Sequence, residues 1–204
     1  MERKLADIIS LVFHPVLMPS LGSYLMLFHD GYLSLMLVEQ SRWMILLIVF
    51  IMTFLLPLVM IFMMKKFNLI SSMRIEKREE RSLPFLITGF SFYLTYLLIR
   101  SYQIPGYYSM FFLGATLLIV IALVINRFWK ISMHMMALGG LTGVLIAIAP
   151  YAFGLSPVFV YALIMVAGIT GFARLRLHAH SPAQVYSGFG LGLAFMLGLF
   201  FVFL

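Results

Sequence analysis

The sequence predicts an all-α, polytopic membrane protein of about seven transmembrane helices, a single integral domain over residues 1–204. Three observations predict it. Apolar residues make up 63% of the chain and charged residues 10%, against about 25% charged in an average soluble domain. Mean hydropathy is +1.07. The apolar residues fall into runs close to the roughly 20 that a membrane-crossing helix needs. Those figures exclude a soluble globular protein and a disordered chain. The net charge of +7 does not indicate nucleic acid, because basic residues in so apolar a chain mark cytoplasmic loops. With no cysteine, disulfides, thiolate metal sites and a cysteine nucleophile are excluded.

The expected spans are 7–28, 42–64, 84–100, 107–126, 131–150, 157–174 and 183–204. The first resembles a signal peptide, but His14, Pro15 and Pro19 interrupt its apolar run and no small-residue cleavage site follows. It reads as a kinked membrane helix; the alternative is six full spans plus a re-entrant first segment. Breaks follow at Asp30-Gly31, at Gln103-Ile104-Pro105-Gly106 and from Gly154 to Pro157. Ser181-Pro182 marks a helix start, with Ser as N-cap and Pro at the first helical position. Gly139 and Gly143, and Gly188 and Gly192, have the spacing that lets helix backbones approach closely. Tight packing is the preferred reading of these glycines, and it makes the last three spans the compact core.

Span parity sorts the cations. One side holds Arg3, Lys4, Lys65, Lys66, Arg74, Lys77, Arg78, Arg81, Arg127, Lys130, Arg174 and Arg176, and the other only Arg42 and Arg100. The positive-inside rule puts the first side, with the N-terminus, in the cytoplasm and the C-terminus outside. The expected location is the inner (cell) membrane of a bacterium.

Ionisable groups at a membrane are functional candidates by default, and three clusters fall on the cation-rich side. Arg74, Lys77, Arg78 and Arg81 would share one helical face; with Glu76, Glu79 and Glu80 among them, a solvated salt-bridged loop is the favoured reading of that cluster alone. Lys130-Ile131-Ser132-Met133-His134 opens the fifth span, where Ser132 would cap the helix and its free N–H groups would suit an anion. Arg174, Arg176, His178, His180 and Gln184 bridge the last two spans, a set that packing does not require. No Asp or Glu lies near the two histidines in sequence to complete a metal site.

Together the clusters resemble the type 2 phosphatidic acid phosphatase superfamily, whose six-helix core is shared with vanadium haloperoxidases. That family carries K-x6-R-P, P-S-G-H and S-R-x5-H-x3-D. Here Arg174, His180 and Gln184 keep the spacing of the third motif, Ser132-Met133-His134 follows the second, and Arg74 and Arg81, with Pro84 three residues on, follow the first. The resemblance covers approximately residues 60–204. Ile131 and Met133 replace the Pro and Gly of the second motif, Ala173 replaces the Ser of the third, and Gln184 stands for its Asp. The only Asp residues are Asp7 and Asp30, both far away in sequence.

The resemblance implies a membrane lipid-phosphate phosphatase acting through a phosphohistidine. It implies His180 as nucleophile, His134 as general acid and then base, and Gln184 in the place of the orienting Asp. Arg174, Arg81, Arg74 or Lys77, and Ser132 would hold phosphate oxygens. Arg176 and His178 have no counterpart and are candidate headgroup contacts. No metal or cofactor is implied; the expected partners are a lipid phosphate substrate and membrane lipids, with no nucleic acid. Typical bacterial members that act outside the cytoplasm would face the other way. A catalytically lapsed protein of the same fold, binding a lipid phosphate or serving as a structural partner, is the alternative, favoured by the missing Asp and Gly. A transporter would place its polar groups near the midplane, and Glu79-Glu80 followed at once by Arg81 lacks the spacing of a CAAX-type membrane protease.

Overall fold

The prolines break the first segment as their chemistry requires. In the computed structural model, which describes residues 2–72, 75, 78–152 and 154–204, α1 (Glu2–Val12) ends short of His14. His14 is extended, with φ −66° and ψ 138°, the conformation that a following proline imposes. A 3-10 turn at Pro15–Leu17 then leads into α2 (Met18–His29). Asp30 ends α2 and caps the short α3 (Gly31–Met36), its Oδ1 accepting the Tyr32 N–H at 2.9 Å while its other oxygen accepts the Tyr107 hydroxyl.

α4 (Glu39–Phe50) and α5 (Leu56–Lys66) are joined by one π-helical stretch, Ile51–Leu55. The Leu56 N–H bonds the Ile51 carbonyl, five residues back. In that register the Met52 carbonyl would need an N–H from Pro57, which has none. The Ser91 hydroxyl donates to it instead, fastening α6 (Ser82–Arg100) to this break. α7 (Gly106–Asn126), α8 (Met133–Ile148), α9 (Val158–Arg176) and α10 (Pro182–Phe203) complete the bundle. All regular structure among the described residues is helical.

Among the described residues, six segments are long and apolar enough to cross a membrane: Glu2–His29, Glu39–Lys66, Glu79–Arg100, Gly106–Asn126, Val158–Arg176 and Pro182–Phe203. The expected fifth span, 131–150, differs. It is α8, a helix of 16 residues, about 24 Å at 1.5 Å per residue. Ala149 keeps helical angles, φ −50° and ψ −38°, but Pro150 has no N–H with which to extend the ladder, and the helix ends there. Its sides are covered by protein, with Leu138, Val144 and Leu145 fully buried, so its length is not set by lipid. α8 begins at the end of the bundle where α9 finishes, the Ser132 N–H before it bonding the Gln184 carbonyl just past the α9–α10 turn.

α8 and α10 form the tightest pair, and four glycines make it so. A Cβ on Gly139 would lie 2.1 Å from the Phe189 carbonyl oxygen, and one on Gly192 would lie 2.1 Å from that of Met136. Gly143 and Gly188 similarly face the Leu193 and Ser132 carbonyls, at 2.6 and 2.7 Å. The close approach expected from their spacing is present.

Candidate active site

Two end motifs in succession set the third sequence cluster in space. α9 finishes in a Schellman turn: the His178 N–H bonds the Leu175 carbonyl and the Ala179 N–H bonds the Arg174 carbonyl, with His178 left-handed at φ 52°. Three residues later α10 opens with a capping box, in which the Ser181 hydroxyl accepts the Gln184 N–H and the Gln184 side chain accepts the Ser181 N–H. The turn leaves Arg174 in the last helical turn of α9 and places His180 immediately before the cap of α10. The spacing of Arg174, His180 and Gln184 is thus the spacing of one helix end, one tight turn and one helix start. His178 is exposed and outside the cavity described below, and its backbone conformation is one that glycine adopts without strain. His178→Gly is therefore expected to raise thermal stability by about 1 kcal/mol and to leave ligand binding unchanged, as measured by unfolding in detergent.

The His180 ring is held by its Nδ1. That atom lies 3.2 Å from the Lys130 carbonyl oxygen and 3.2 Å from Gln184 Oε1. Both are acceptors, and Oε1 is identified as oxygen because it also accepts the Ser181 N–H at 3.1 Å. Nδ1 therefore carries the hydrogen, and Nε2 keeps its lone pair. Burial, then the charges of Arg174 and Arg81, push the His180 pKa down to about 4, against the opposing pull of the Gln184 hydrogen bond. The ring is neutral at pH 7.

His134, in the first turn of α8, has Nε2 3.0 Å from the Ser10 carbonyl of α1. A carbonyl only accepts, so Nε2 carries hydrogen and Nδ1 is its proton-exchanging atom. His14 lies edge-on to it, ring centroids 5.4 Å apart. Arg81 is 9% exposed and its Nε–H donates to the Ile75 carbonyl at 3.1 Å. His14, Arg81, His134, Arg174 and His180 all line one cavity of about 170 Å³. Two guanidinium groups and three imidazoles thus converge, and no carboxylate is among the described lining residues.

The structure brings together His180, Gln184, His134, Arg174 and Arg81 from three separate stretches of sequence. Ser132 stands apart from the cavity lining. It occupies the N-cap position of α8, but the expected cap is not made: its hydroxyl makes no hydrogen bond and is fully buried, while its N–H donates to the Gln184 carbonyl at 3.3 Å. The backbone bond locks the starts of α8 and α10 together, which is why the side chain is turned inward. Arg176 and His178 also lie outside the lining, Arg176 bonding Glu2 of α1. Arg74 and Lys77 lie outside the described residues.

His14 was missed by sequence reasoning, which treated it as an interruption of the first span. The signal was there: an ionisable residue inside an apolar run is a functional candidate, and the following proline breaks the helix at that point. Among the described residues no group of three or more His, Cys, Asp or Glu is placed to hold a metal ion. Comparison with protein-family models, with curated proteins and with solved structures finds no match to this chain.

Proposed function

We propose that this protein is a membrane lipid-phosphate phosphatase resembling type 2 phosphatidic acid phosphatases, and that it works through a phosphohistidine. The observation that carries the reading is the fixed tautomer of His180: Nδ1–H is bound to two acceptors, and the Nε2 lone pair belongs to a ring beside Arg81, Arg174 and His134. In the reading, Nε2 attacks phosphorus and the bond to the lipid oxygen breaks. His134, in its protonated form, gives its Nδ1 proton to the departing oxygen; neutral again, it takes a proton from the water that cleaves the phosphorus–nitrogen bond. Arg81 and Arg174 hold the equatorial oxygens, where charge spreads during transfer. Gln184 replaces a carboxylate by a neutral acceptor, so it orients His180 without stabilising a positive ring.

The cation-rich end of the bundle is the end that holds this cavity, and the positive-inside rule puts it in the cytoplasm. The test is phosphate release by purified protein over phosphatidate, phosphatidylglycerophosphate and polyprenyl phosphates. Release from at least one is expected. Folded protein that binds a lipid phosphate and releases none would favour a lapsed enzyme retained as a binder.

The pH profile follows from His180. With a pKa near 4, it is neutral and nucleophilic between pH 4 and 6.5, where an ordinary histidine loses its lone pair to protonation. The acid limb of kcat/KM assigned to this group is therefore expected near pH 4. Gln184→Glu keeps the capping box and adds a negative charge that favours the protonated ring, so the limb is expected to move upward by about 1–2 pH units. Stability has the same sign. Between pH 4 and 6.5 the unfolded chain binds a proton that the folded chain does not, so folding stability rises with pH through that window and levels off above it.

A further inference from the structure

Nothing in the packing of the first span calls for a histidine at position 14. The residue stands in an apolar run between Phe13 and Pro15, where an aliphatic side chain would pack at no cost. It precedes the 3-10 turn, yet its side chain makes no capping bond. Its Nδ1 is enclosed and meets no partner among the described residues. An enclosed polar atom left unpaired is destabilising, and native proteins keep few of them. Such an atom points to a role outside packing.

The break before Pro15 sets the ring in the cavity wall. The extended backbone of His14 takes the chain off the end of α1, and the Leu17 N–H bonds the His14 carbonyl at 2.9 Å to fix the bend. α1 is itself tied at two points, by the Ser10 carbonyl to His134 Nε2 at 3.0 Å and by Glu2 to Arg176 at the end of α9. The His14 ring lines the cavity, edge-on to His134, and Arg174 is close enough for its charge to act on it. Nδ1 is enclosed and Nε2 is not, so Nε2 is the nitrogen offered to the cavity. An enclosed N–H without an acceptor is rarer in proteins than an enclosed acceptor without a donor. The hydrogen of the neutral ring therefore sits on Nε2, as a donor. No carboxylate among the described lining residues competes for it.

We propose that His14 is a substrate-binding residue, its Nε2–H donating to a non-bridging oxygen of the bound phosphate beside Arg174, so that the first helix is part of the site. This rests on the reading of the cavity's charged end as a phosphate site. The donor comes from outside residues 60–204, the part of the chain that carries the resemblance.

The experiment is binding of inorganic phosphate to full-length protein in detergent, by the wild type and two variants. His14→Leu removes the donor and suits the apolar run. It is expected to unfold no lower than the wild type and to bind phosphate about 10–100-fold more weakly, the scale of a hydrogen bond to a charged group. His14→Gln sets an amide N–H near the place of Nε2–H and is expected to retain most of the affinity. Wild-type affinity in folded His14→Leu would overturn the proposal. Equal loss in both variants would overturn it too, because the shape of the ring would then matter and its donor would not. Should His14→Leu fail to fold, nitrogen NMR of histidine-labelled wild type decides. Phosphate is expected to shift the His14 Nε2–H signal, assigned by its absence from His14→Gln. An unmoved signal in protein that binds phosphate overturns this proposal alone. No phosphate bound by the folded wild type overturns the phosphate site and this proposal with it.

Discussion

His180→Ala is expected to abolish phosphate release, lowering turnover by roughly 10⁴-fold or more, the scale seen when a nucleophile is removed. The fold is expected to survive. The ring contributes hydrogen bonds to the Lys130 carbonyl and to Gln184 Oε1, whose loss costs about 1–3 kcal/mol. The turn around it is held independently by the Schellman bonds of α9 and the capping box of α10. His180→Asn separates the two roles more sharply, because the Asn amide can donate where Nδ1–H donates and has no counterpart to Nε2. It is expected to unfold at nearly the wild-type temperature and to be as inactive as the alanine variant. Measurable turnover in the asparagine variant would remove His180 as nucleophile.

Gly192→Val is expected to have the largest effect on stability, about 3–5 kcal/mol or complete loss of folded protein. An added Cβ at Gly192 would lie 2.1 Å from the Met136 carbonyl oxygen and 2.8 Å from the Gly140 nitrogen. Both are backbone atoms of α8 and cannot turn aside, so the helices must separate. The starts of the same two helices carry His134, Ser132 and Gln184, so separation would also open the candidate site. Gly190 is the control, two residues away on the same helix. Nothing lies within 4 Å of its added Cβ, and Gly190→Ala is expected to be neutral or stabilising by up to about 1 kcal/mol. Thermal unfolding of both variants in detergent checks the pair; equal effects would contradict the close packing of α8 on α10.

Much of this was legible because membrane solvent constrains a sequence severely. Apolar runs and prolines marked the helices, and Ser181-Pro182 marked the start of α10, though the capping box that Gln184 completes there went unread. His180 and Gln184 were legible as a pair because they are neighbours across one helix start. The glycine pairs pointed to close packing, but spacing did not say which glycines face a neighbour: Gly171 does, and Gly168 has nothing within 4 Å. The short α8 was not legible, because a helix wrapped by protein is as apolar as one wrapped by lipid. Ser132 was expected to cap by residue type alone; whether its hydroxyl turns out or in depends on α10, remote in sequence. His14 escaped for the same reason, since only the fold of α1 against α9 and the break before Pro15 bring it to His134.

The most direct test of the central claim locates the phosphoryl group during turnover. Protein is mixed with a hydrolysed lipid phosphate carrying labelled phosphorus and stopped in alkali, where a phosphorus–nitrogen bond to imidazole survives. The expected result is label on His180, distinguished from His178 by fragmentation of the peptide, and absent from His180→Asn. Phosphate release with no labelled residue, or with label on any residue other than His180, would contradict the phosphohistidine mechanism.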